Sequence, residues 1–217
     1  WTETERTLNA LTVDDLRAMH RRYYVDANMM IGMAGAVTFD EARRLAGDLL
    51  RLPEAPGGWQ APVLPEVNPV AGRVTYVVAR PQTQNVIYFG HLGVDRHNED
   101  KFPIRLFNEV LSGGFSSRLF KEVRSNRGLA YLVGGRLGEG TRRGLFYNVA
   151  LTRADATAET LDVMLDVDRG LQAAPPSAEE MELARQATVN SFVFLFDTPE
   201  QIVQQKMTLD AFDYPED

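Results

Sequence analysis

The stretch Leu111–Tyr131, LSGGFSSRLFKEVRSNRGLAY, constrains this chain more than any other, because few local geometries accommodate it. Gly113 and Gly114 permit backbone angles that a Cβ would forbid, and the two serines behind them can cap a helix. Leu119, Phe120 and Val123 share one apolar face, while Arg118, Lys121, Glu122 and Arg124 lie largely on the other. Gly128 follows a basic last turn, the usual place for a left-handed helix cap. Leu129, Ala130 and Tyr131 then open a run of strand composition. The pattern predicts loop, helix, stop and strand in succession, with Arg124 and Tyr131 at the two ends of one tight corner.

The rest of the chain is read around that corner. Thr12 with Asp15 has the form of a capping box ahead of Leu16, Met19 and Tyr23, so a helix is expected there. Met29–Val37, MMIGMAGAV, predicts a buried strand weakened by its glycines, and Thr38 with Glu41 repeats the capping box before a second helix. Five prolines and three glycines fall within residues 52–72, which predicts an extended linker between residues 1–51 and 73–217. Beyond it, Val74–Ala79 and Asn85–Leu92 are β-branched and aromatic and read as neighbouring strands. Pro103 opens a helix with Ile104, Phe107, Val110 and Leu111 on one stripe. Residues 131–138 and 144–151 flank a polar segment and predict a hairpin. A helix follows from about Ala156 to Ala173 with Leu161, Met164, Leu165 and Leu171 inward. Ser177 with Glu180, and Thr198 with Pro199 and Gln201, mark the starts of two more helices. Hairpins mixed with helices indicate an α+β fold: two layers, with a mixed but largely antiparallel sheet and helices packed on one face.

At 217 residues with 44% hydrophobic composition, the chain is long enough to bury a substantial core. A net charge of −7 and a pI near 5.1 give no electrostatic basis for binding nucleic acid. The absence of cysteine rules out disulfides and thiolate metal sites, and no apolar run reaches the ~20 residues of a membrane span. GGFSSR lacks the lysine of a phosphate-binding loop. The glycines more simply let the chain turn between packed helices. Met29, Met30 and Met33 read as packing residues, and acidic pairs such as Glu179 and Glu180 favour the first turn of a helix.

The Leu111–Tyr131 stretch resembles a signature of the insulinase or pitrilysin-type zinc metallopeptidases, whose relatives include the mitochondrial processing peptidases and the core subunits of the respiratory cytochrome complex. Leu11–Val37 and Ser177–Gln205 resemble two further blocks of the same family, in the same order. The family's chemistry rests on an H-x-x-E-H helix, with two histidines on one face and a glutamate that activates zinc-bound water. This sequence lacks that motif. His20, His91 and His97 have no second histidine at the needed spacing; His20 reads as a helix-surface and His91 as a strand-surface residue.

The resemblance implies the second domain of a half-molecule, preceded by the tail of the first, with zinc expected in the complete enzyme or in a partner half. Two origins stay open: a fragment of a zinc-bearing polypeptide, or part of a half that never carried the motif. The implied partners are a peptide or unfolded polypeptide and a zinc-bearing homologous half, in a homo- or hetero-dimer. The family's substrate-contacting arginine and tyrosine fall on Arg124 and Tyr131, with Arg127 as a neighbouring alternative. A guanidinium can grip a peptide carbonyl or carboxylate, and a phenol can donate to a developing oxyanion, so Tyr131 is the expected catalytic donor. The competing expectation is a structural subunit of the same fold without proteolysis.

Overall fold

The computed structural model describes residues 4–49 and 59–214. Its helices and strands run α1 (Glu5–Asn9), α2 (Val13–Tyr23), α3 (Phe39–Leu49), β1 (Gln84–Leu92), β2 (Val94–Asp95), α4 (Lys101–Ser112), a π-helical turn (Phe120–Ser125), β3 (Ala130–Leu137), β4 (Glu139–Gly140), β5 (Leu145–Arg153), α5 (Thr157–Ala173), α6 (Ala178–Phe192) and α7 (Pro199–Ala211). Residues 52–58 of the expected linker lie outside the described residues, and 59–72 contain neither helix nor strand. The chain divides into two compact units, Trp1–Leu64 with Val193–Asp217, and Pro65–Phe192.

In the first unit the helix starts are fixed by local chemistry. The Thr12 backbone N–H donates to the Asp15 carboxylate at 2.8 Å, and the Asp15 N–H donates to Thr12 Oγ1 at 3.3 Å. Thr38 with Glu41 and Thr198 with Gln201 form the same reciprocal pair, so orphan amides of each first turn find acceptors. Met29–Val37, expected as a strand, has no ladder partner among the described residues and bends at Gly35 and Ala36. It packs against helix instead: a Cβ on Gly32 would come within 2.4 Å of Val203 and Met207 side-chain atoms of α7.

The second unit is a two-layer α+β domain. Its sheet has the order β1-β5-β3 with both pairs antiparallel, and β2 pairs with β4 in a short parallel ladder. The expected hairpin is therefore present. Val74–Ala79 is not a strand; Tyr76, Val77 and Val78 stand exposed. Composition measures how well side chains suit a pleated surface, whereas a strand needs a neighbour's backbone as well. Side chains of one sheet face meet the helices around a core of Leu111, Leu119, Val123, Leu129, Ala130, Ala150, Met164 and Val167. The buried stripe of α5 is Thr160, Met164 and Val167, with Leu171 packed against the core; Met164 and Leu171 thus face inward as expected, whereas Leu161 and Leu165 are only half-buried. Alternation along the strands leaves Val86, Tyr88, Leu132, Leu145, Tyr147, Val149 and Leu151 on the other face. The first four of these are exposed, and the Tyr88 and Tyr147 rings stack at 5.2 Å. Tyr147, Val149 and Leu151 on the same face are half-buried.

Polar side chains fix the layers. The Asn108 side chain accepts from the Leu137 N–H at 2.7 Å and donates to the Leu137 carbonyl at 2.9 Å, which clasps α4 to the end of β3. The fully buried Asn148 of β5 donates through Nδ2 to both Asp168 carboxylate oxygens of α5 at 2.9 Å. Burial pushes the Asp168 carboxyl above the usual carboxylate range, and the Asn148 amide and nearby His91 oppose that rise.

Candidate functional site

Two local irregularities meet at the corner between residues 119 and 132. The helix expected from Leu119 onward is a π-turn over Phe120–Ser125, in which the Asn126 N–H reaches back to the Lys121 carbonyl at 2.8 Å. Leu119 and Val123 remain its buried anchors. The extra residue per turn widens the helix and moves Arg124 relative to an α-helical register. Gly128 has φ +61° and its N–H closes on the Arg124 carbonyl at 3.0 Å, the five-to-one bond of a left-handed helix end, while the Leu129 N–H reaches one residue further back, to the Val123 carbonyl at 2.9 Å. The buried Thr152 hydroxyl then donates to the Leu129 carbonyl at 2.7 Å and lies 2.9 Å from the Thr160 hydroxyl, tying the corner to β5 and α5.

The second irregularity is in β3. Ala130 pairs with Thr152 but Leu132 pairs with Leu151, so Tyr131 is the extra residue of a β-bulge. Freed from the ladder's alternation, Tyr131 is 77% exposed. Arg124 Cζ lies 4.7 Å from the Tyr131 ring centroid and 4.8 Å from that of Phe120. Phe120 in turn meets Phe115 edge to face at 4.9 Å. The result is a surface row of Phe115, Phe120, Arg124 and Tyr131. A guanidinium lying over aromatic faces keeps its in-plane N–H groups at the edge, where a planar carbonyl or carboxylate can meet them.

Arg124 and Tyr131 are thus brought together. Arg127 is not part of that row: it pairs with the Glu122 carboxylate and donates to the Glu122 carbonyl at 3.0 Å. It lines a separate cavity of about 390 Å³ with Arg118, Lys121, Asp166 and Glu180 around a floor of Val163 and Val167. There Arg118 grips Glu180 bidentately at 2.7 and 2.9 Å, which holds the Glu180 carboxyl down at about 2. Sequence reasoning missed Phe115 and Asn148. The signals available were an aromatic directly after two glycines and an asparagine inside the apolar run LFYNVAL.

Zinc finds no set of ligands here: among the described residues no three His, Asp or Glu side chains come together to hold a metal ion. His20 stacks on Tyr24 at 4.7 Å, and the His91 ring stacks on Phe146 while its Nδ1 is 2.7 Å from the Leu92 carbonyl. No helix among the described residues is long and apolar enough to cross a membrane.

Residues 10–188 match the family model described as the peptidase M16 inactive domain. An uncharacterized zinc protease of Streptomyces coelicolor is 34% identical over 137 residues, covering 60% of this chain and 29% of that protein. A non-peptidase homolog from Helicobacter pylori is 25% identical, covering 60% of this chain and 30% of that protein. The chain therefore spans less than a third of the length of these curated relatives. Among solved structures, a peptidase M16 inactive domain from Pseudomonas fluorescens superposes with a TM-score of 0.82 at 26% identity, covering 97% of this chain and 50% of that one.

Proposed function

Because the chain belongs to the M16 peptidase family, as its inactive domain, we propose that it forms one wall of a peptide-binding chamber whose zinc is held by a homologous half. That half is either part of the same polypeptide or a separate subunit. In this reading Arg124 grips a carbonyl or carboxylate of an extended peptide, and the Tyr131 hydroxyl would donate to the oxyanion that develops on the scissile carbonyl as water adds to it. The carrying observation is the coincidence of π-turn and β-bulge. Each departs from regular geometry, and together they hold Arg124 against an exposed Tyr131 ring. Such irregularities cluster at functional sites, because a regular helix and ladder would direct both side chains elsewhere. The exposed apolar sheet face supplies the adjoining wall. Zinc supplies the activated water when bound in the other half.

Tyr131→Phe tests this cleanly, since it keeps the ring under Arg124 and removes only the hydroxyl. In the zinc-bearing assembly, turnover of a quenched fluorescent peptide falls by ~10²-fold with the Michaelis constant and melting temperature nearly unchanged. Arg124→Ala raises the Michaelis constant as well. Turnover within about twofold of the parent after Tyr131→Phe would favour a second reading, a structural subunit without proteolysis. The naming of one relative as a non-peptidase homolog supports that alternative.

A further inference from the structure

Beside Arg124 the geometry points to a second recognition element: we propose that Phe115 forms an apolar subsite that selects one side chain of a bound peptide. This rests on the chamber-wall reading and adds a specificity determinant to it. Phe115 is 80% exposed, yet its loop is held in place. A Cβ on Gly113 would fall 2.5 Å from the Glu109 Cα, and Gly114 sits at φ +124°, so neither position accommodates a side chain readily. The buried Ser117 hydroxyl donates to the Gly114 carbonyl at 2.7 Å and closes the turn. A large apolar ring is therefore kept in water on a constrained support. Its edge-to-face contact with Phe120 at 4.9 Å continues the row that holds Arg124.

The spacing sets what the subsite reads. Two steps of 4.9 and 4.8 Å place the Phe115 ring at most about 10 Å from the guanidinium. An extended peptide advances ~3.4 Å per residue, so the side chain against Phe115 belongs to a residue within about three positions of the group that Arg124 grips. A guanidinium on backbone oxygen accepts any sequence. The adjacent aromatic wall rewards Phe or Leu over Gly or Asp at that one position, because it takes their apolar surface out of water.

The test uses the full-length protein and fluorescein-labelled decapeptides that differ only at one position, occupied by Phe, Leu, Gly or Asp and moved along the peptide. Fluorescence anisotropy on the parent protein is expected to find one position at which Phe or Leu binds about tenfold tighter than Gly. Phe115→Ala brings that ratio to within about twofold while the Gly peptide keeps its affinity, and Phe115→Tyr restores the ratio. Arg124→Ala weakens all four peptides together. A preference that survives Phe115→Ala, an equal loss for every peptide, or no preference at any position overturns the subsite while leaving the chamber reading intact, provided Arg124→Ala still weakens binding. Absence of binding by every decapeptide overturns both.

Discussion

Glu180→Gln isolates one charge at a junction of the second unit. Glu180 accepts from the Ser177 N–H at 2.8 Å as the reciprocal half of the α6 capping box, and the same carboxylate takes two N–H groups of Arg118. Glutamine serves a capping box nearly as well as glutamate, so the substitution spares the cap and removes the ionic partner. Arg118 hydrogen bonding is the main reason the Glu180 carboxyl falls from 4.5 to about 2. At ~1.4 kcal/mol per pKa unit that depression corresponds to ~3 kcal/mol as an upper bound. Both side chains retain 24% exposure, and water reaches the pair through the adjoining cavity. Solvent screening reduces the expected loss to ~1–2 kcal/mol at neutral pH.

The pH dependence makes the assignment specific. A carboxyl whose folded pKa is depressed contributes stability that is present in full above its unfolded value, 4.5, and disappears as pH falls through about 2. Urea unfolding of parent and Glu180→Gln should therefore differ by ~1–2 kcal/mol at pH 7, with the gap narrowing below pH ~4.5. Other carboxyls titrate alike in both proteins and cancel. Arg118→Met in the parent background should cost a similar amount, and the double variant little more than either single one. An equal gap at pH 7 and pH 3 would refute the ionic account, as would full additivity.

Gly128→Ala should lower stability by ~1–2 kcal/mol, read as a drop in melting temperature, because its φ of +61° disfavours a Cβ. Asn148→Ala should cost ~2–3 kcal/mol at neutral pH, since it removes the donor to both oxygens of the part-buried Asp168. The Asp168 folded pKa, already raised, rises further without that amide, so the Asn148→Ala penalty in denaturant titrations grows as pH climbs through the raised folded pKa of the parent and shrinks in acid. Asn108→Ala should release the end of β3, seen as faster hydrogen exchange of the Leu137 amide with a global loss of ~1–2 kcal/mol.

What the sequence made legible was what neighbouring residues decide. The boxes at Thr12, Thr38, Ser177 and Thr198 form because a side chain and an amide three residues apart meet whatever the rest of the chain does. Gly128 marks its corner for a similar reason. Met29–Val37 and Val74–Ala79 have strand composition without pairing, since a ladder depends on backbone that neither segment carries. The π-turn was hidden because Leu119 and Val123 have the i, i+4 spacing of an ordinary α-helix. That hidden register also separates Arg124, which lies over aromatic rings, from Arg127, which turns to Glu122. The bulge at Tyr131 leaves no mark in LAYLV, and the partners of Asn148 lie on another element.

The cost of this corner bears on which functional reading is stronger. A π-turn forgoes the tighter i+4 bonding of an α-helix, and a bulge forgoes a regular pair of ladder bonds, so a corner selected for stability alone would have neither. Both are held by their surroundings: Leu119 and Val123 are fully buried beneath the π-turn, and Thr152 fixes the Leu129 carbonyl just before the bulge. The irregularities leave Tyr131 largely in water with an arginine over its ring, an arrangement worth at most ~1 kcal/mol at an exposed site. That gain is too small to offset two departures from regular bonding. A purely structural subunit would be stabilised by an α-helical turn and an unbulged strand here, so the persistence of both distortions favours a domain whose arginine and tyrosine meet a ligand.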